Sequence, residues 1–296
     1  MEITMSDRAE RADGSGGAAS GTEPRGQPIE HASIARVYDY WLGGQDNTAA
    51  DRELAEKLLR INPDAASLAR ENRAFLIRAT RYVALQGIYQ YLDIGSGIPT
   101  SPNVHEVARS VVQDARVVYV DRDPVVLDYG RARLEATTND VAVVSGDMRE
   151  PSLIVTDPAL LRLIDFTEPV CVLLVSVLHF LTLREAETVV ARFTEVMAAG
   201  SYLVISVGTS SDQKLTERFT TAYTAGHLMS HSPGEIESWF RGLVLVEPGL
   251  VEAHQWRSDV SQAPPPRRIA AVILAGVGRK LGRPNRGGRG GNDSAA

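Results

Sequence analysis

The chain has 296 residues, a formal net charge of −6, 44% hydrophobic and 23% charged residues, which fits a soluble globular protein with one large α/β domain or two small ones. The acidic balance argues against a nucleic-acid surface as its main business, and a lone cysteine, Cys171, rules out a disulfide framework or a cysteine-rich metal site. There is no apolar run of membrane-spanning length and no charged-then-apolar leader, so a cytoplasmic protein is expected.

Residues 1–28 are rich in Gly, Ala, Ser, Glu and Arg without apolar periodicity, and residues 282–296 repeat Arg-Gly-Gly. Both compositions bury too little surface to offset ordering entropy, so disordered tails are expected. Between them the order is helical first. Ile34 to Leu42 reads as a helix closed by Gly43-Gly44, and Asp51 to Arg60 starts on an acid and aligns Leu54, Leu58 and Leu59. Asp64 to Gln86 reads as a longer amphipathic helix stopped by Gly87. Together these form an N-terminal helical cap over 29–87, ahead of a domain over 88–281. From Tyr91 to about Ser211 strands and helices alternate, the pattern of βαβ units on a parallel sheet. The run from Pro169 to Val175, apolar throughout, suits a central strand. Ser201 to Gly208 follows as the fifth strand, then helices near Gln213 to Ala225 and Pro233 to Arg241, and last strands at Leu243 to Glu247 and Ile269 to Leu274.

Three strand ends carry the chemistry. Tyr91-Leu92-Asp93-Ile94-Gly95-Ser96-Gly97 ends an apolar strand in an acid and two glycines, which open the backbone to a ligand. A helix follows, with Asn103 and Glu106 as a capping box, offering free N–H groups at its start. A dinucleotide fingerprint needs a third glycine three residues on, where Thr100 stands, so that motif fails. The second strand, from Arg116, closes on Asp121, whose carboxylate can accept both hydroxyls of a ribose, with Arg122 beside it. The third closes on Gly146-Asp147-Met148, where Asp147 can accept from an adenine amino group while Met148 packs on the ring.

Asp93-x-Gly95-x-Gly97 resembles the first motif of class I S-adenosylmethionine-dependent methyltransferases, where the acid helps position the methionine end of the cofactor. The stretch Ile34-Ala35-Arg36-Val37-Tyr38-Asp39-Tyr40-Trp41-Leu42-Gly43-Gly44-Gln45-Asp46-Asn47 resembles the N-terminal signature of an actinobacterial S-adenosyl methyltransferase family that was formerly a domain of unknown function. The likeness continues through Asn72 to Leu76, Leu92 to Thr100, Val118 to Pro124, Val175 to Phe180, Gly200 to Leu203 and Leu245 to Leu250.

This resemblance implies an α/β, Rossmann-like class I methyltransferase fold with a seven-stranded, mostly parallel sheet, its last inserted strand antiparallel, under an N-terminal helical cap. It implies S-adenosyl-L-methionine as cofactor; because no large separate substrate or nucleic-acid domain is apparent and the acidic balance disfavours nucleic acid, the expected methyl acceptor is a small molecule, such as a secondary metabolite. The implied cofactor residues are Asp93, Gly95, Ser96 and Gly97, then Asp121 and Arg122, then Gly146, Asp147 and Met148, with Ser176 after the fourth strand. In the cap, Tyr38, Gly43 and Asn47 belong to a lid over the cofactor, and Arg73 pairs with its carboxylate. His179, at the carboxyl edge of the sheet, is the candidate general base; the alternative is a packed, singly bonded histidine. His227, His231 and His254 lack a clustered carboxylate, so no metal site is expected. Two other functions fit part of the pattern: a cofactor-sensing protein without turnover, and a nicotinamide oxidoreductase with a degenerate glycine turn, which Asp93 and Gly146-Asp147 argue against.

Overall fold

The computed structural model describes residues 31–135, 138–258 and 271–282. The tail expected over 1–28, and nearly all of that over 282–296, lie outside the described residues. Eight strands run in chain order as β1 (Gln90–Ile94), β2 (Arg116–Asp121), β3 (Val141–Ser145), β4 (Cys171–Val175), β5 (Tyr202–Ser210), β6 (Val244–Leu245), β7 (Val251–Glu252) and β8 (Ala271–Arg279). They form one sheet in the order β3-β2-β1-β4-β5-β8-β6, with β7 also on β8. The first five are mutually parallel, and β8 runs antiparallel to β5.

The count is eight where seven strands are expected. Residues 243–252 make two short strands: Pro248 has no N–H to give a ladder, the Gly249 N–H turns back to the Val246 carbonyl at 2.9 Å, and pairing resumes at Val251. The last strand, expected to end at Leu274, runs on to Arg279 and pairs with the whole of β5; Ile269 and Ala270 lie outside the described residues.

Period-two alternation buries both faces of the parallel strands. Tyr91, Val117, Tyr119, Cys171 and Val204 pack to one side. Leu92, Val118, Val120, Val172 and Leu203 pack to the other. The first side is covered by α3 (Ala65–Leu85), α4 (Val104–Arg109) and α5 (Pro124–Arg133), the second by α6 (Pro151–Ile154), α7 (Pro158–Leu161), α8 (Leu183–Val196) and α10 (Pro233–Ser238). Each fully buried Val, Leu or Ile stabilises the fold by about 1.5–3 kcal/mol relative to exposure. The start of α4 follows the chemistry read from the sequence, Glu106 accepting from the Asn103 backbone N–H; α5 starts on Asp123, whose side chain accepts from the Val125 N–H just after Pro124.

A third, smaller apolar cluster joins α1 (Ile34–Leu42), α2 (Ala49–Ile61) and the end of α9 (Gln213–Ala222) through Val37, Leu54, Leu58 and Tyr223. Here the polar groups do the fastening. α2 begins at Ala49, two residues ahead of the expected start, because Thr48 caps it and Asp51 closes a capping box from inside the first turn. Asp51 is fully buried; its carboxylate accepts from the Ser33 N–H at 2.8 Å, the Arg36 Nε at 2.7 Å and the Thr48 N–H at 2.7 Å. Burial alone would raise its pKa, but the Arg36, Thr48 and Ser33 donors outweigh it and hold the carboxyl below its usual range. Further out, the Ser33 hydroxyl donates to Asp123 at 2.7 Å and Arg133 donates to Asp46 at 2.8 Å, tying α1 and the loop after it to the β2–α5 side.

Removing one partner of a buried ion pair strands the other charge. Arg36→Ala is expected to cost about 3–5 kcal/mol in a urea titration at pH 7. Because the folded-state pKa of Asp51 is depressed, its contribution is complete above the unfolded value of about 3.9 and is lost as pH falls through the lower folded value. The deficit of Asp51→Asn relative to the native chain is therefore expected to shrink on acidification below about pH 4.

Candidate functional site

A cavity of about 600 Å³ lies at the carboxyl ends of the parallel strands, roofed by α1 and flanked by α3 and α9. Strand order reverses between β1 and β4, the switch point where open α/β sheets bind ligands. The volume is in the range of about 300–1,000 Å³ typical of small-molecule sites.

The turn after β1 forms its floor. Gly95 and Gly97 have φ of +69° and +67°, in the left-handed region that side chains avoid. A Cβ at Gly95 would come within 2.5 Å of Val177, whereas one at Gly97 would meet nothing within 4 Å. Gly95 is thus required by packing, and Gly97 leaves its backbone bare. The Gly95 N–H bonds the Val120 carbonyl at 2.7 Å, and the Gly97 N–H donates to the Asp121 carboxylate at 3.0 Å.

Three acids reach this edge, each in a different electrostatic state. Asp93 is 6% exposed, lines the cavity and makes no side-chain hydrogen bond among the described residues. Burial pushes its carboxyl up to about 7; the Arg73 guanidinium pulls it back and the charge of Asp121 adds to the rise. Asp121 accepts from the N–H groups of Gly97 and Asp123, at 3.0 and 2.9 Å; burial still raises its pKa from the ordinary aspartate value. Asp147 is the most solvated, and although burial raises it, the Arg149 N–H and the Arg122 side chain, at 2.9 and 3.1 Å, bring it below the usual value. Arg122, Gly146 and Met148 line the same end.

Arg73 lies between Asp93 and the loop after Gly97. It donates to the carbonyls of Thr100 and Pro102, and its buried Nε has no partner. Tyr38 lines the roof, donating to the Ala69 carbonyl at 3.1 Å and accepting from the Asn72 amide at 2.9 Å. The chain of bonds continues inward: Ser206 donates to Asn72 at 2.6 Å and accepts from the Ser176 N–H at 3.0 Å. Ser176, with a φ of +56°, holds a conformation that costs a non-glycine residue about 1–3 kcal/mol. Its N–H reaches both the hydroxyl and the carbonyl of Ser206, which over-determines the strained backbone at the tip of β4.

Two expected residues do not reach the cavity. Gly43 is the left-handed C-cap of α1, with φ of +86°. Asn47 turns its amide back onto Asp39 and the Gly44 carbonyl, at 2.8 and 2.9 Å, and accepts from Arg52. Asp39, which Asn47 holds in place, does line the cavity alongside Tyr38. His179 sits in a single 3-10 turn, Leu178–Phe180, and lines the cavity. Burial lowers its pKa to about 4, and the nearby His231 adds to the shift. Its Nδ1 accepts the Gly208 N–H at 3.4 Å, which puts the proton of the neutral ring on Nε2. In that tautomer Nε2 presents a donor, contrary to the general base expected from its position.

Sequence reasoning missed the opposite wall. Phe180, Tyr223 and Phe219 stack in series, with ring centroids 6.1 and 6.0 Å apart and interplanar angles of 30° and 24°. Only the spacing of four between Phe219 and Tyr223 hinted at a shared face. Among the described residues no group of three or more His, Cys, Asp or Glu is arranged to hold a metal ion, and no helix is long and apolar enough to cross a membrane.

The strand order, the antiparallel β5–β8 pair and the acid-glycine turn at the switch point define a Rossmann-like class I methyltransferase. The sequence profile of a family described as S-adenosyl methyltransferase matches residues 21–281, and the chain belongs to that family. It is an S-adenosylmethionine-dependent methyltransferase, with S-adenosylmethionine as cofactor. The crystal structure of a candidate methyltransferase from Thermobifida fusca is 40% identical over 86% of this chain and 97% of its own, with a TM-score of 0.81. A DUF574 family protein from Streptomyces avermitilis is 39% identical over 85% of this chain and 98% of its own, with a TM-score of 0.80. No curated protein matches the chain.

A carboxyl with a folded pKa of about 7 holds its proton in the native state where the unfolded chain has released it, so stability falls as pH rises between about 4 and 7. Asp93→Asn is therefore expected to raise the melting temperature of the ligand-free protein by several degrees at pH 8. The gain grows from pH 4 to 7 and is constant above it. A gain that does not vary with pH in melting curves would contradict the raised pKa.

Proposed function

We propose that the enzyme methylates a small molecule held in the cavity beside the cofactor, and that the cofactor's amino-acid end lies against the turn at Gly95–Gly97. One observation carries the assignment of that end: among the described residues a buried carboxyl without a hydrogen-bond partner, Asp93, stands beside a guanidinium whose buried Nε is also unpartnered, Arg73. An unpaired acid and an unpaired cationic donor next to a bare backbone suit a zwitterionic amino-acid group.

S-adenosylmethionine, when bound, supplies a methyl group already activated by its sulfonium. What remains for the protein is to align the acceptor and exclude water. In this reading Asp93 takes the ammonium, Arg73 the carboxylate, and the backbone around Ser96 lets both approach. The two Asp121 oxygens each accept one backbone N–H and keep a lone pair for a ribose hydroxyl. Gly146, Asp147 and Met148 border the adenine, Arg122 fixes Asp147 there, and Ser176 and Tyr38 close the site from β4 and the roof. The helices over 29–87 act as the cap that keeps water out. His179 contributes a hydrogen-bond donor on the acceptor side. A cytoplasmic location belongs to the same reading.

Calorimetric titration with S-adenosylmethionine, S-adenosylhomocysteine and NAD tests it. Asp121→Ala is expected to weaken the first two by about tenfold or more, the loss of charge-assisted bonds worth roughly 1.5–3 kcal/mol each. Affinity for S-adenosylhomocysteine is expected to rise as pH increases through about 7 and Asp93 ionises, and Asp93→Asn to abolish that dependence. Tight NAD binding with no response to the other two would overturn the assignment.

A further inference from the structure

The charges around the cavity are segregated. Among the described residues, every Asp, Glu, Lys or Arg side chain lining it comes from α1, α3, β1 or the β2 and β3 ends, and from Val175 onward the described lining includes none. That uncharged half carries the stacked Phe180, Tyr223 and Phe219, and Tyr223 is only 6% exposed. The Tyr223 hydroxyl has no hydrogen-bond partner among the described residues, is not among the fully occluded polar atoms, and belongs to a residue that lines the cavity. On the other flank of Phe180 lies His179, with ring centroids 4.4 Å apart and its Nε2–H without an acceptor among the described residues.

We infer that this half is the acceptor subsite and that it takes a flat aromatic molecule without a charged group, held through an oxygen that accepts from Tyr223 and His179. The inference rests on the methyltransferase reading for the word acceptor alone; the ligand class follows from the wall. An ion entering here would lose its hydration with no counter-charge to replace it. A saturated molecule would forfeit the offset stacking that an aromatic wall offers. Two neighbouring hydroxyls are already engaged, Thr209 with the His231 carbonyl at 2.7 Å and Thr216 with the Asp212 carbonyl at 3.0 Å, and on the aromatic wall itself Tyr223 and His179 are the donors.

Four probes of one size separate the terms: 2-naphthol, 2-naphthoate, 2-naphthylmethylammonium and decahydro-2-naphthol. Ligand-observed NMR titrations on the full chain, with and without S-adenosylhomocysteine, are expected to rank 2-naphthol tightest by about tenfold or more. Tyr223→Phe is expected to weaken it about 3- to 10-fold, the loss of one neutral hydrogen bond, with S-adenosylhomocysteine affinity unchanged as the control for folding. Equal or tighter binding of a charged or saturated probe, or no effect of Tyr223→Phe, overturns the inference. Failure of S-adenosylhomocysteine to bind while the probes keep this order overturns the cofactor assignment instead and leaves the ligand class standing.

Discussion

Parallel strands deliver all their carboxyl ends to one edge, and in this chain three neighbouring ends bring an acid there. Like charges so close in a partly dry cavity must each be neutralised, bonded or screened. The chain uses all three remedies. Asp147 takes two arginines, Asp121 takes two backbone N–H groups, and Asp93, its pKa pushed by burial up to about 7, carries only part of its charge at neutral pH. Much of the surrounding structure follows from this constraint. The second glycine of the turn aims its N–H at Asp121, and Arg73 extends from α3 to hold the next loop with its charge near Asp93.

The same economy of charge shapes the roof. A short helix such as α1 buries few apolar groups, so its attachment rests on one fully buried carboxylate, Asp51, that gathers donors from three residues. Around that point Val37 and Leu58 exclude water, which strengthens the bonds they surround. The roof thereby joins the wall of α9, and the cavity acquires an acidic half under β1 to β3 and an apolar half beyond β4.

Local chemistry was legible in the sequence where a signal is local. α1 and β2 have the bounds that their periodicity and end residues indicate, and the acid-glycine turn stands at the cavity floor. What escaped depends on tertiary neighbours. Nothing near Arg36 or Asp51 announces a buried pair, because each reads as a solvated helix charge until the helices pack. Gly43 and Asn47 share a dense segment with Tyr38, but a helix cap and a back-turned amide spend them on the segment itself. His179 looked like a base from its place after β4; only the Gly208 N–H, from a strand about thirty residues on, reveals which nitrogen holds the proton. The aromatic wall was invisible for the same reason, as it assembles from the turn after β4 and a helix beyond β5.

The hydrogen-bond chain from Tyr38 through Asn72 and Ser206 to Ser176 has a kinetic side. It connects roof to floor across the cavity, and with the Ser33–Asp123 and Asp46–Arg133 ties it makes α1 a fastened cover. Swinging such a cover open would break the Tyr38–Asn72, Ser33–Asp123 and Asp46–Arg133 bonds in one event. A molecule whose passage required α1 to move would therefore need a concerted opening rather than a local one.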